Sequence, residues 1–188
     1  RRPVEQHPLL PHRGPPLPHH RLPGGVHSRD LPRHRPLQPP PRLLRPGGLP
    51  LEALEDVAGP IAVDRAVTQQ LKEGEQPKAP GMKYRHYAPK APVTVVTGPA
   101  ASSARTIQHL AQPGDGVICF DEFATLFDQQ VVERLGPSQD KRIQAQRVFD
   151  ALRAFDSKDV PQIYAQCPDS QGLGLAISNR LKKAAGFK

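Results

Sequence analysis

The chain has 188 residues, a formal net charge of +8, 24 Pro, 15 Gly, two Cys, one Met and no Trp. That length suits one ordinary domain with extensions and is too short for two full-sized ones. No apolar run is long enough for a membrane-spanning helix and no secretory signal pattern is visible. Two cysteines cannot form a disulfide framework, so a reducing, cytoplasmic setting with no membrane partner is expected.

Residues 1–50 contain 14 of the 24 Pro, nine Arg and six of the eight His, with no Lys and no aromatic side chain. They carry +7 of the net charge, so the high isoelectric point belongs to this segment. Proline removes backbone donors and too little apolar surface is present to offset ordering entropy, so residues 1–41 are expected to be a disordered, locally polyproline-like Pro/Arg-rich arm. Four readings apply to it. An Arg-rich tail neutralises nucleic-acid phosphates. A metal site would draw on His7, His12, His19, His20, His27 and His34, whose irregular spacing argues against it. A solvated linker needs no function. Translation of G/C-rich sequence in the wrong frame gives this mix of Arg, Pro, His, Gly and Leu, and is the reading the composition favours.

From Arg42 the texture changes. Leu51, Leu54, Val57 and Ala58 recur at helical spacing, with Gly59 placed to stop the helix. Residues 61–90 are punctuated by Gly74, Pro77, Pro80, Gly81 and Pro89 and form an extended linker, apart from a helical stretch near Ala66–Lys72. Strands and helices then alternate over residues 91–188. Strands are predicted at Val93–Val96, Val117–Phe120, Val131–Leu135 and Gln162–Ala165. Helices are predicted at about Ser102–Ala111, after a Ser138 cap, and from Gly174 to a stop at Gly186, with a short helix or irregular crossover over 121–128. Short apolar strands between amphipathic helices predict an α/β domain: a mostly parallel sheet between two helical layers.

The densest functional cluster is Lys83-Tyr84-Arg85-His86-Tyr87-Ala88-Pro89. Lys and Arg match phosphates, Tyr offers a stacking face and a hydroxyl, and His titrates near neutrality. Two readings stand side by side: a lid over a nucleotide or anionic intermediate, and an extended strap docked by its tyrosines. Gly172-Leu173-Gly174 lacks the third glycine of a dinucleotide turn, Ile177 standing there, which favours helix capping. The Gly98–Ser103 turn is equally weak. Asp121-Glu122 lacks a third ligand for a metal and reads as a helix-start pair. Cys119 is expected to be buried and Cys167 more exposed, neither with a His partner for nucleophilic catalysis. No catalytic residue and no metal site is assigned.

The stretch Ala79-Pro80-Gly81-Met82-Lys83-Tyr84-Arg85-His86-Tyr87-Ala88-Pro89-Lys90-Ala91-Pro92 closely resembles the interdomain linker of the two-domain L-threonylcarbamoyladenylate synthases. Leu43-Leu44-Arg45-Pro46-Gly47-Gly48 resembles the end of that family's catalytic domain. Gln146–Asp156 resembles its long C-terminal-domain helix, and Gly172–Phe187 its terminal helix. The likeness runs in order over residues 42–188. It implies that residues 42–60 are the end of a YrdC-like catalytic domain, 61–90 the linker and 91–188 a small three-layer Rossmann-like C-terminal domain. It implies condensation of L-threonine, bicarbonate and ATP to threonylcarbamoyl-AMP and pyrophosphate, with Mg assisting in the full-length family. The product serves tRNA threonylcarbamoyladenosine modification, completed on the tRNA by other proteins. By the same resemblance Arg45, Lys83, Tyr84, Arg85, His86 and Tyr87 bind ATP and product.

The sequence departs from the family ahead of Leu43, where the catalytic domain's KxR-type and Ser-x-x-Asn-type motifs are absent. A lid without its cavity has no preorganised phosphate donors. The expectation is therefore an inactive C-terminal fragment with no tightly bound cofactor. The alternative is a stand-alone module that binds a nucleotide or partner and regulates without catalysis.

Overall fold

The computed structural model describes residues 39–71, 74–79 and 88–187. The predicted arm lies almost wholly outside the described residues, and so does the Lys83–Tyr87 cluster.

Two short strands open the described chain: β1 (Arg42–Leu43) and β2 (Ala62–Val63), parallel, with Arg42 opposite Ala62. Between them lies α1 (Leu51–Ala58), which Gly59 ends by donating its backbone N–H to Glu55. After β2 a single turn, α2 (Arg65–Thr68), is capped by Asp64, whose carboxylate accepts from the Ala66 amide. The start of the predicted linker is thus folded rather than extended, and its predicted helix is shorter than Ala66–Lys72. Two-residue strands carry no readable period, and what holds them is tertiary. Ala66 and Val67 are buried, and Asn179 Nδ2 donates to the Val67 carbonyl at 2.6 Å.

The main sheet has four strands: β3 (Val93–Val96), β4 (Gly116–Phe120), β5 (Val131–Gly136) and β6 (Ile163–Gln166). Their order is β3-β6-β4-β5 and every pairing is parallel, as the alternating pattern predicts. The central strands β6 and β4 meet at Ile163 opposite Gly116. No residue of β4 is exposed, because successive side chains point to opposite covered faces.

Helix α3 (Ala100–Leu110) covers one face, where Val117 and Cys119 pack with Ile107, Ala111 and Phe127. Helices α4 (Lys141–Arg153) and α5 (Gly174–Ala185) cover the other. There Ile118 and Phe120 meet Val148, Leu152, Ile177 and Leu181. Each such side chain contributes about 1.5–3 kcal/mol by leaving water. The three-layer α/β arrangement is therefore present. Gly116 marks a close approach within it, since a Cβ there would sit 2.6 Å from Phe155 Cε1.

Two local expectations are corrected, and a third, the short helix or crossover over 121–128, is met. The cap of α4 is Asp140, accepting from the Arg142 and Ile143 amides at 3.0 and 3.1 Å. Ser138 falls two residues too early, inside the loop, and its amide and hydroxyl donate instead to Glu122. Cys167 is buried, because it follows the central strand β6 beneath α5. The 121–128 crossover is a 3₁₀ helix over Asp121–Leu126.

Candidate functional site

All four strands of a parallel sheet deliver their carboxyl ends to one edge, which is where open α/β sheets place their ligands. A cavity of about 660 Å³ occupies that edge. Gly98 and Pro99 enter it after β3, Phe120 ends β4, Ser138–Arg142 follow β5, and Cys167–Asp169 follow β6. Its floor is braced by Gln166, fully buried, which accepts from the Phe120 amide at 2.9 Å and donates to Ala100 O and Ser103 Oγ. One side chain thereby ties β6 to β4 and to the start of α3.

The charged groups at this edge have distinct surroundings. Asp140 is spent on capping α4. Lys141 Nζ donates to Asp169 Oδ1 at 2.6 Å and to the Gln171 carbonyl at 3.1 Å. The Lys141 hydrogen bond, joined by the Gln171 amide, holds the Asp169 carboxyl below the usual range. Arg142 is exposed, and among the described residues its guanidinium has no hydrogen-bond or ion-pair partner. The Cys167 thiol is pushed up to about 11 by burial, so it is a protonated, apolar part of the wall rather than a nucleophile. Cys119, pushed by burial to about 12, is equally inert.

A second pocket, of about 330 Å³, lies beside α2. Its centre is Asp64, 5% exposed, which gathers three segments. The Ala66 amide, Lys78 Nζ at 3.2 Å and Arg42 Nη1 at 3.5 Å all donate to its carboxylate. The Ala66 amide leads, with Lys78 and Arg42 assisting, in holding the Asp64 carboxyl below its ordinary value. Arg65 pairs with Glu75 in the same wall.

Among the residues singled out from sequence, Arg45 is exposed just beyond β1, while Lys83, Tyr84, Arg85, His86 and Tyr87 lie outside the described residues. The His-rich arm lies outside them too. Arg45 has company that the sequence did not reveal. Burial first, then the positive charges of Arg45 and Arg180, push the Lys183 ammonium below its ordinary value. Arg180 also lies 4.0 Å from the centre of the Phe149 ring. Three cations thus converge from β1's end and α5; only the 3–4 spacing on α5 could have hinted at two of them.

The remaining candidates are structural. Gly174 permits a close approach, since a Cβ would fall 1.9 Å from the Asp169 carbonyl oxygen, so the Gly172–Gly174 turn packs α5 against the β6 loop. Glu52 Oε1 accepts from the Gly172 amide at 3.2 Å, joining α1 to that turn. Glu122 is occupied by Ser138, and Asp121 lies 3.7 Å from Arg147. Among the described residues no group of three His, Cys, Asp or Glu side chains is placed to hold a metal ion. No helix among them is long and apolar enough to cross a membrane.

The family profile described as threonylcarbamoyl-AMP synthase, C-terminal domain, matches residues 49–186. The chain is 42% identical over 148 residues to the threonylcarbamoyl-AMP synthase of Bacillus subtilis, covering 78% of this chain and 42% of that protein. It is 43% identical over 153 residues to the synthase of Pyrococcus abyssi, covering 79% and 43%. The synthase of Schizosaccharomyces pombe is 30% identical over 162 residues, covering 78% and 39%. Among solved structures, that of the P. abyssi Sua5 protein complexed with L-threonine superposes with a TM-score of 0.68 at 40% identity, covering 78% of this chain and 42% of that one. A variant of the same protein, with a histidine and the tyrosine next to it changed to alanine, gives a TM-score of 0.66. The chain spans about two fifths of the length of the relatives it matches. On the parallel fold, the shared profile and this identity, the chain belongs to the threonylcarbamoyl-AMP synthase family, as its C-terminal domain.

Proposed function

We propose that this chain supplies the linker and C-terminal domain of an L-threonylcarbamoyladenylate synthase acting in the cytoplasm. In that reaction the threonine amine and bicarbonate form a carbamate with loss of water. A carbamate oxygen then attacks the α-phosphorus of ATP, Mg-assisted, and pyrophosphate leaves. The product feeds threonylcarbamoyl modification of tRNA by other proteins. The observation that carries the reading is the 42–43% identity to two curated synthases over some four fifths of this chain. The solved P. abyssi relative is complexed with L-threonine, which supports threonine as a substrate.

Within this reading Arg45, Lys83, Tyr84, Arg85, His86 and Tyr87 bind ATP and product, while the bond-forming chemistry belongs to the catalytic domain. Two findings support the assignment. Arg45 is exposed, and its positive charge reaches the Lys183 ammonium, so the end of β1 carries positive charge of the kind that phosphate oxygens attract. The histidine–tyrosine pair altered in the P. abyssi variant has one counterpart by residue type here, since His86-Tyr87 is the only His-Tyr dipeptide in the sequence.

The test is a chimera in which residues 42–188 replace the matching part of the B. subtilis synthase. It is expected to release pyrophosphate only with threonine, bicarbonate and ATP together. Lys83→Gln with Arg85→Gln should lower kcat/KM by about 100-fold, the scale of losing preorganised charge at a reacting phosphate. The 188-residue chain assayed by itself is expected to release none. A folded chimera without turnover, or one indifferent to the double substitution, overturns the reading.

A further inference from the structure

We propose that the cavity at the carboxyl edge of the β3-β6-β4-β5 sheet is a binding site for a phosphate monoester of mononucleotide size. Its volume of about 660 Å³ falls within the usual range for small-ligand sites, and every strand of the sheet contributes to it. The wall divides into two kinds of surface. Pro99, Ala100, Phe120, Cys167 and Pro168 form an apolar side suited to a base or sugar face. Lys141 and Arg142 form the charged side.

The contacts of the charged groups point to the ligand. Asp140 gives Oδ1 to its own helix amides and Asp169 gives Oδ1 to Lys141, and neither carboxylate forms an ion pair with Arg142. A guanidinium at a cavity mouth, with an ammonium one residue away, presents forked donors to a tetrahedral dianion. Lys141 holds Asp169 through one oxygen and is 26% exposed at its side chain, so it can donate to a phosphate without leaving that partner.

The experiment uses the intact 188-residue chain, titrated with AMP, ribose 5-phosphate and adenosine and followed by calorimetry and amide NMR shifts. AMP and ribose 5-phosphate are expected to bind saturably, with Kd below about 1 mM, shifting the amides of Ser138–Arg142 and Cys167–Asp169, while adenosine does not bind. Arg142→Gln, a change at an exposed side chain, should weaken AMP at least tenfold. Arg105→Gln, on the exposed side of α3, should leave it unchanged. Absence of saturable binding overturns the proposal, as does AMP affinity indifferent to Arg142→Gln. Binding lost with Lys83→Gln/Arg85→Gln but kept by Arg142→Gln also overturns it, while leaving the synthase reading intact. Conversely, an inactive chimera alongside Arg142-dependent AMP binding removes the synthase reading and leaves this site standing.

Discussion

Single side chains decide where this protein's segments meet. Asp64 is the clearest, a nearly buried carboxylate joined to α2's first turn, to Arg42 and to Lys78. Because its folded pKa lies below the ordinary 3.8, its ionised form favours the native state. That contribution is fully present above pH 3.8 and fades as pH falls through the lowered folded value. Asp169, held down by Lys141, acts in the same direction. Asp64→Asn is therefore expected to lower the urea midpoint at pH 6 and to flatten its fall between about pH 4 and pH 2. Urea curves taken across that range check it, and a wild-type midpoint that rises on acidification would contradict it. Gln166 shows the same principle without charge. Its amide satisfies groups from two other elements, β4 and α3, that lie 46 to 66 residues away from it in the sequence.

At the scale of elements, α5 does more than complete the second helical layer. Its buried face carries Ile177, Leu181 and Ala184 into the core, as the sequence period predicts. On the same helix Asn179 reaches the Val67 carbonyl, so the last helix holds the turn that leads toward the linker. Asn179→Ala removes the donor and leaves a buried carbonyl unpaired, at a cost of about 1–3 kcal/mol. The expected signature is local: faster hydrogen exchange at the amides of Ala66–Thr68, with Val117–Phe120 in β4 still protected. Equal acceleration in both would mean that α2 is not held by this bond. The α4 cap teaches a related lesson. A serine at 138 and an aspartate at 140 are both good caps, and the position of the turn after Gly136 selects Asp140.

For the molecule as a whole, the two apolar clusters lie on opposite faces of the same strands, sharing β4 between them. Neither cluster survives without that sheet, so the described body is expected to unfold in one step. Urea transitions followed by far-UV circular dichroism and by the NMR signals of Ile107 and Leu181, one from each helical layer, should coincide. Separated midpoints would show that the layers melt independently. The charge distribution separates equally plainly. Residues 51–188 are nearly balanced, and the excess positive charge lies in the first fifty residues.

The sequence by itself determined the element order from β3 onward, the parallel α/β class, the burial of Cys119 and the family, because these follow from local period and from a linker motif written in consecutive residues. Val93–Val96 and Val117–Phe120 announce themselves as strands by apolar runs that need no context. Only the tertiary structure decided the strand order, the β1–β2 pair, the burial of Cys167, the grouping of Arg45 with Arg180 and Lys183, and the cavity at the sheet's carboxyl edge. Each of those joins residues far apart in the chain, and no local periodicity records which distant backbone or charge a side chain will meet.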